Sequence, residues 1–168
     1  MLIALRMEIV MTQSTELDTR PIAFVKAQWH ADIVDRAQVG FEAETAVLWK
    51  SQVSVNVIAV PGAFEIPLMA QMLAKTGRFQ AVVGAAFVVD GGIYRHDFVE
   101  STVVDALMRV QLDTGVPVFS VVLTPHQYQE TADHNRFFLE HFEKKGAEAA
   151  RACRSLLETR HVVRTENP

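Results

Sequence analysis

Short apolar runs alternate with longer helical patterns from Pro21 to the end of the chain. Four runs are uniformly apolar or rich in β-branched residues: 21–28, 53–60, 79–89 and 116–124. Such runs are typical of strands buried in a parallel sheet. Between them, apolar residues recur at spacings of three, four and seven, which indicates helices with one buried face. The alternation predicts a three-layer α/β/α sandwich with a four-stranded parallel sheet.

The sequence also indicates where the helices end. The first helix is predicted over about 31–50 and the second over 65–75, where Lys-Thr-Gly supplies a stop. The third ends near Gly115. After the last strand we expect two helices joined at Lys-Lys-Gly (144–146), because glycine is unfavourable in a helix interior.

Length and composition indicate a single folded unit. A chain of 168 residues can bury one sizeable core, and 49% hydrophobic with 21% charged residues is a globular composition. We therefore expect one domain over 21–168, preceded by a flexible extension over 1–20.

Charge and hydropathy argue against several partners. The net charge of −4 and the absence of a basic stripe disfavour nucleic acid, which is bound largely through Lys and Arg. The apolar start MLIALRMEIV is too short to span a bilayer and lacks the features of a signal peptide. The lone Cys153 fits a reducing compartment. We expect a cytoplasmic protein without a nucleic-acid or membrane partner.

The predicted sheet is flavodoxin-like, and in such sheets ligands bind in the crevice beyond the carboxyl ends of the strands. The residues after each strand are therefore the candidates for chemistry. Trp29 follows the first strand and is either a core residue or a flat platform for an aromatic ligand. Its polar neighbours Gln28 and His30 favour an open edge.

The stretch VPGAFEIP (60–67) follows the second strand. Gly62 can adopt a positive φ and lets a ligand approach the backbone. Glu65 lies where the next helix begins. Its carboxylate is either a helix-start acid, favoured by the helix dipole, or an acceptor for the N–H and O–H groups of a ligand.

The third strand is followed by Asp-Gly-Gly (90–92) and then by a helix. Glycine pairs are more often plain turns, but free backbone N–H groups at a helix start also form an anion site. Arg95 and His96 add a permanent cation and an imidazole that transfers protons near neutral pH. The other histidines lack metal-ligand spacing, so we expect no metal.

Taken in this order, the stretches resemble the 6,7-dimethyl-8-ribityllumazine synthase family over about 21–160. The most specific elements are VPGAFEIP (60–67) and VVGAAFVVDGGIYRHDFV (82–99), while QWHADIVD (28–35) is similar to the second isoenzyme type. The resemblance implies condensation of 5-amino-6-(D-ribitylamino)uracil with 3,4-dihydroxy-2-butanone 4-phosphate, the penultimate step of riboflavin biosynthesis. It implies no metal and no organic cofactor.

The resemblance also implies roles for single residues. Trp29 would stack on the pyrimidine, and Glu65 would accept hydroxyls of the ribityl chain. The other substrate-binding positions that it implies are Gly62, Ala63, Phe64, Phe87, Val88, Val89 and Ser120. The phosphate-binding positions are Gly92, Ile93 and His134. Ser120 and His134 would enter from a neighbouring subunit.

Two positions depart from the family pattern. The acid–base histidine of the family aligns without gaps with Arg95, and His96 falls one place later. Both residues are therefore catalytic candidates, although a guanidinium does not release its proton at neutral pH. The phosphate-binding arginine of the family aligns with His134, with Arg136 as an alternative.

Family members assemble as pentamers, and some build icosahedral shells. The bulky stretch NRFFLEHFEKKG (135–146) stands where shell-forming members have a short glycine-rich bend, which predicts pentamers or paired pentamers. Two other functions stay open at this point. One is a pentameric binding protein with little turnover. The other is a flavodoxin-like signalling domain, disfavoured because no cluster of acids at the strand ends could hold Mg²⁺.

Overall fold

Four parallel strands form the central sheet of the computed structural model, which describes residues 18–90 and 95–166. The strands are β1 (Ile22–Ala27), β2 (Val55–Val60), β3 (Ala81–Phe87) and β4 (Val118–Leu123). They lie in the order β2-β1-β3-β4, and every neighbouring pair is parallel. The predicted four-stranded parallel sheet is confirmed.

Helices cover both faces of the sheet. They are α1 (Ala31–Leu48), α2 (Ile66–Lys75), α3 (His96–Thr114) and α4 (Ala132–Glu166), with a short 3₁₀ turn at Ala63–Glu65. Alternate side chains of β1 point to opposite faces, so Phe24 packs beneath α1 and α4 while Val25 packs beneath α2 and α3. The three-layer arrangement is confirmed. None of these helices combines the length and hydropathy needed to cross a bilayer.

The third helix ends as predicted, whereas the predicted joint at 144–146 is wrong. Gly115 has a φ of 66°, a left-handed conformation that stops α3. In contrast, α4 runs without interruption through Gly146. A β-carbon on Gly146 would lie 2.0 Å from the carbonyl oxygen of Ala37 in α1. The glycine is therefore a point of close helix contact, and the packing that it permits outweighs its low helix propensity.

The order of the strands places a crevice between β1 and β3. The chain leaves β1 for β2 on one side and then crosses to β3 on the other side, so the strand order reverses between β1 and β3. A reversal of this kind opens a crevice at the carboxyl ends of the two strands. All seven residues of β3 are buried, which makes it a rigid wall for whatever binds there.

Cys153 belongs to the core and not to any reactive site. It lies on the buried side of α4, and burial raises the pKa of its thiol to about 12. The thiolate is the reactive form of cysteine, and at neutral pH this side chain remains a thiol. Cys153 therefore acts as a small apolar residue between α4 and the sheet.

Candidate active site

A cavity of about 760 Å³ lies at the carboxyl ends of β1 and β3. Its size and its largely apolar wall are typical of small-molecule sites. Sequence-predicted residues that line it are Trp29, Gly62, Ala63, Phe64, Glu65, Phe87, Val88, Val89, Arg95 and His96. The fold thus brings the ends of three different strands and the start of α3 to one cavity.

Trp29 stands open at the mouth of the cavity. It is 73% exposed, so the interpretation of Trp29 as a core residue is wrong. The next residue, His30, has φ 53° and ψ 45°, a left-handed conformation that is uncommon for residues other than glycine. Its ring lies edge-on to Phe87 (5.5 Å) and Tyr128 (5.9 Å). This turn separates the two rings: His30 packs against the aromatic wall and Trp29 faces outward.

Glu65 is held in place by the turn that precedes it. Its Oε2 accepts a hydrogen bond of 2.9 Å from the backbone N–H of Gly62, so the helix-start acid is confirmed. Gly62 does not use the positive φ that glycine permits, because its φ of −147° is extended backbone. The glycine serves by its small size instead. A β-carbon there would lie 3.3 Å from Oε2 of Glu65 and 3.9 Å from Cδ2 of Trp29.

The end of β3 supplies one side of the cavity. The ring of Phe87 packs against Tyr128 and Phe138, each with a centroid distance of 5.0 Å. The backbone N–H of Val88 donates to the carbonyl of Leu123 at 2.9 Å. That N–H is therefore already satisfied by β4, whereas Val89 lies two residues beyond Phe87, the last paired residue of β3.

His96 and Arg95 have different surroundings at the start of α3. The Nδ1 atom of His96 lies 2.7 Å from Oδ1 of Asp90, and the side chain is only 21% exposed. The Arg95 guanidinium is 69% exposed, donates to both carboxylate oxygens of Asp97, and lies 4.5 Å from the ring centroid of Phe98. The imidazole is the more enclosed of the two groups, and the guanidinium is already engaged by neighbours.

Two predicted site residues lie outside this cavity. Ser120 is exposed on β4, an edge strand, where its Oγ accepts a hydrogen bond from Val122 N–H. His134 is half-buried, and its Nδ1 accepts from the backbone N–H of Gln129 at 3.3 Å. Gly92 and Ile93 lie outside the described residues. Arg136 pairs with Asp133 at 2.6 Å on the exposed side of α4.

The sequence did not single out several residues that line the cavity. Asp90, Tyr128 and Glu130 are the polar ones among them. Burial raises the pKa of Tyr128, so its phenol stays neutral, and its hydroxyl donates to Oδ1 of Asn135 at 2.5 Å. Asp90 belongs to the motif over 82–99, and its place shortly after a buried strand could have identified it as a residue of the site. Tyr128 had no such signal, because it follows β4 by several residues.

Within residues 18–90 and 95–166, no group of three or more His, Cys, Asp or Glu side chains converges as metal ligands do. The side chains that line the cavity offer aromatic surfaces, carboxylates, one guanidinium and the imidazoles of His30 and His96.

The parallel sheet and the cavity at its switch point place the chain in the flavodoxin-like α/β/α class, whose members bind small molecules at this crevice. Comparison with protein families matches residues 20–161 to the family described as 6,7-dimethyl-8-ribityllumazine synthase. The chain belongs to this family.

Individual relatives agree with the family match. The chain is 61% identical over 138 residues to the 6,7-dimethyl-8-ribityllumazine synthase of Rhodococcus erythropolis, covering 82% of this chain and 89% of that protein. It is 55% identical to 6,7-dimethyl-8-ribityllumazine synthase 2 of Pseudomonas syringae pv. tomato, over 81% and 80%. Identity to 6,7-dimethyl-8-ribityllumazine synthase 1 of Caulobacter vibrioides is 34%, over 85% and 92%. The similarity to the second isoenzyme type is confirmed.

Proposed function

We propose that the cavity is the active site in which this chain forms 6,7-dimethyl-8-ribityllumazine. Membership of the family makes the chain a transferase of riboflavin biosynthesis. The amine of 5-amino-6-(D-ribitylamino)uracil attacks the ketone of 3,4-dihydroxy-2-butanone 4-phosphate and loses water to form an imine. Phosphate is then eliminated, and ring closure releases a second water. The substrate amine is the nucleophile, so the protein needs only to orient the partners and move protons.

The main support for this proposal is the position of Trp29 and Glu65 next to each other at the mouth of the cavity. Trp29 exposes its face beside Gly62, where a pyrimidine can stack, and Glu65 stands next to it with a carboxylate fixed by the Gly62 N–H. Of the two oxygens of Glu65, Oε1 remains for hydroxyls of the ribityl chain. Ala63 and Phe64 line the same side, and Phe87, Val88 and Val89 form the opposite wall.

His96 is the residue that we assign to proton transfer. The imidazole lines the cavity and is mostly enclosed, whereas the Arg95 guanidinium is tied to Asp97 and Phe98. A general acid–base group must change protonation near neutral pH, which imidazole does and guanidinium does not. Backbone N–H groups of Gly92 and Ile93 would hold the phosphate, together with His134 of a neighbouring subunit.

An assay with both substrates tests the function directly. Purified protein is expected to convert them to a fluorescent lumazine with release of inorganic phosphate in equal amount, both measured against a protein-free blank. The alternative of a binding protein predicts a different result. In that case the pyrimidine would bind tightly while lumazine would accumulate no faster than in the blank.

Trp29→Ala is expected to weaken binding of the pyrimidine substrate by roughly 1–3 kcal/mol, about 5- to 150-fold in Kd, because a stacking surface is removed. Trp29→Phe should retain most of the affinity. Since Trp29 is largely exposed, neither change should lower the melting temperature appreciably. Titration of the ligand by fluorescence or calorimetry measures the effect. Equal affinity of Trp29→Ala and the parent protein would refute stacking.

The active site is proposed to be completed by a second copy of the chain. Ser120 and His134 both lie outside the cavity of their own chain, as expected of residues that serve a neighbour. In addition, α2, α3 and the 3₁₀ turn before α2 lie on the same face of the sheet and display large apolar side chains that are more than half exposed: Phe64, Leu68, Met72, Phe98, Met108 and Leu112. Several large exposed apolar side chains on one face of a domain are typical of a protein interface.

Sedimentation velocity is expected to give a pentamer or a pair of pentamers. The continuous α4 helix has no short bend at 144–146, and the bulky side chains before it do not favour the curvature of a closed shell. Leu68→Glu and Leu112→Glu should dissociate the assembly, because each would bury a charge in the proposed interface. A particle of sixty subunits, or a monomer in the parent protein, would contradict the prediction.

A further inference from the structure

One carboxylate oxygen contacts His96 in two ways. Oδ1 of Asp90 lies 2.7 Å from Nδ1 of the imidazole and accepts a 3.1 Å hydrogen bond from the backbone N–H of His96. Arg95, the residue before α3, makes no side-chain cap of its own. Asp90 therefore caps the start of the helix and touches the ring of its first residue.

We propose that Asp90 is a positioning residue that fixes the His96 imidazole for proton transfer, a role that rests on the proposed function of the cavity. A carboxylate only accepts hydrogen bonds, so a neutral imidazole at 2.7 Å must carry its proton on Nδ1. Nε2 is then the basic nitrogen that is left for the substrate. In the structure the 2.7 Å contact does not have the geometry of a hydrogen bond from Nδ1, so the proposal requires the ring to rotate toward the oxygen.

The other charged groups of the cavity do not replace Asp90. Glu65 on the 3₁₀ turn, Glu130 after β4, His30 before α1 and Arg95 beside α3 all line the same space. Among the described residues, Asp90 is the acid within 4 Å of the imidazole. His96, and to a smaller extent Arg95, lower the pKa of Asp90, so its carboxylate is ionised at neutral pH. The same arrangement of acid, imidazole and substrate fixes the tautomer in other acid–base sites.

Steady-state kinetics of three variants test the proposal. Asp90→Asn is expected to lower kcat about 10- to 30-fold with KM within about 2-fold, because the imidazole loses the acceptor that fixes its orientation and tautomer. Asp90→Glu should recover most of kcat. Asp97→Asn, which also removes one negative charge but from the first turn of α3, should keep the parent kcat.

A readout independent of turnover is the tautomer of His96. In protein with ¹⁵N-labelled histidine, the neutral imidazole of the parent should carry its proton on Nδ1 and leave Nε2 free, and the neutral imidazole of Asp90→Asn should show a mixture of the two tautomers. The proposal would be overturned if the parent and Asp90→Asn showed the same tautomers, or if Asp90→Asn kept the parent kcat or changed only KM. An equal loss of kcat in Asp97→Asn would also overturn it. If the parent protein formed no lumazine, the proposed function would fail, and the tautomer would still decide the role of Asp90.

Discussion

Replacing His96 with asparagine or glutamine is expected to lower kcat for lumazine formation by about 100-fold, near the low end of what general acid–base catalysis contributes. Asparagine keeps a donor where Nδ1 faces Asp90, and glutamine places an amide near Nε2, but neither group exchanges a proton at neutral pH. The loss should therefore appear in both variants. Initial rates of lumazine fluorescence at saturating substrates measure it.

Arg95→Gln is the matched control for the His96 variants. The guanidinium is mostly exposed and pairs with Asp97, and exposed ion pairs contribute little to stability, so the variant should fold like the parent. Because we assign proton transfer to His96 and not to Arg95, kcat is expected to stay within about 3-fold of the parent value. Binding of the pyrimidine should be the same in all three variants. A large loss of kcat in Arg95→Gln, with parent-like kcat in both His96 variants, would assign proton transfer to Arg95 instead. Parent-like kcat in all three variants would mean that the protein accelerates the reaction only by orienting the substrates.

The regular parts of this fold could be predicted because their signals are local. Uniformly apolar runs mark buried parallel strands, and the reversal of strand order between β1 and β3 then fixes where a ligand binds. The cavity residues next to strand ends, such as Trp29, Glu65 and His96, follow from that rule. Their exposure and partners do not, because these depend on turn geometry: His30 occupies a left-handed conformation that no single-residue signal indicated.

The choice between Arg95 and His96 shows the limit of reading a sequence position by position. Successive residues of a helix differ in direction by about 100°, so a shift of one place moves a side chain to another face. α3 begins at His96, which directs this residue and not Arg95 toward Asp90. Tyr128 and His30 meet only because β4 and β1 end at the same edge of the sheet, and their separation in sequence gives no local pattern.

Close packing between α1 and α4 supports the aromatic side of the cavity. His30 directly precedes α1, and Tyr128 is bonded to Asn135 in the first turn of α4, so the separation of these helices sets the contact between the two rings. Two glycines set that separation. A β-carbon on Gly40 would lie 1.9 Å from the carbonyl oxygen of Glu143, and one on Gly146 would lie 2.0 Å from that of Ala37. Arg36 and Glu143 form an ion pair across the same seam.

Gly40→Ala and Gly146→Ala are expected to lower the melting temperature by roughly 5–10 °C each, since overpacking costs about 1–3 kcal/mol or more and the obstructing atoms are backbone. Differential scanning fluorimetry measures the change, and weaker pyrimidine binding should accompany it. The direction of the change in melting temperature distinguishes overpacking from helix propensity, because alanine in place of glycine in an unobstructed helix would stabilise the protein by up to about 1 kcal/mol. The matched control is Ala43→Gly on the exposed side of α1, which should cost about that propensity alone. A higher melting temperature in either alanine variant would mean that α1 and α4 do not approach through these glycines.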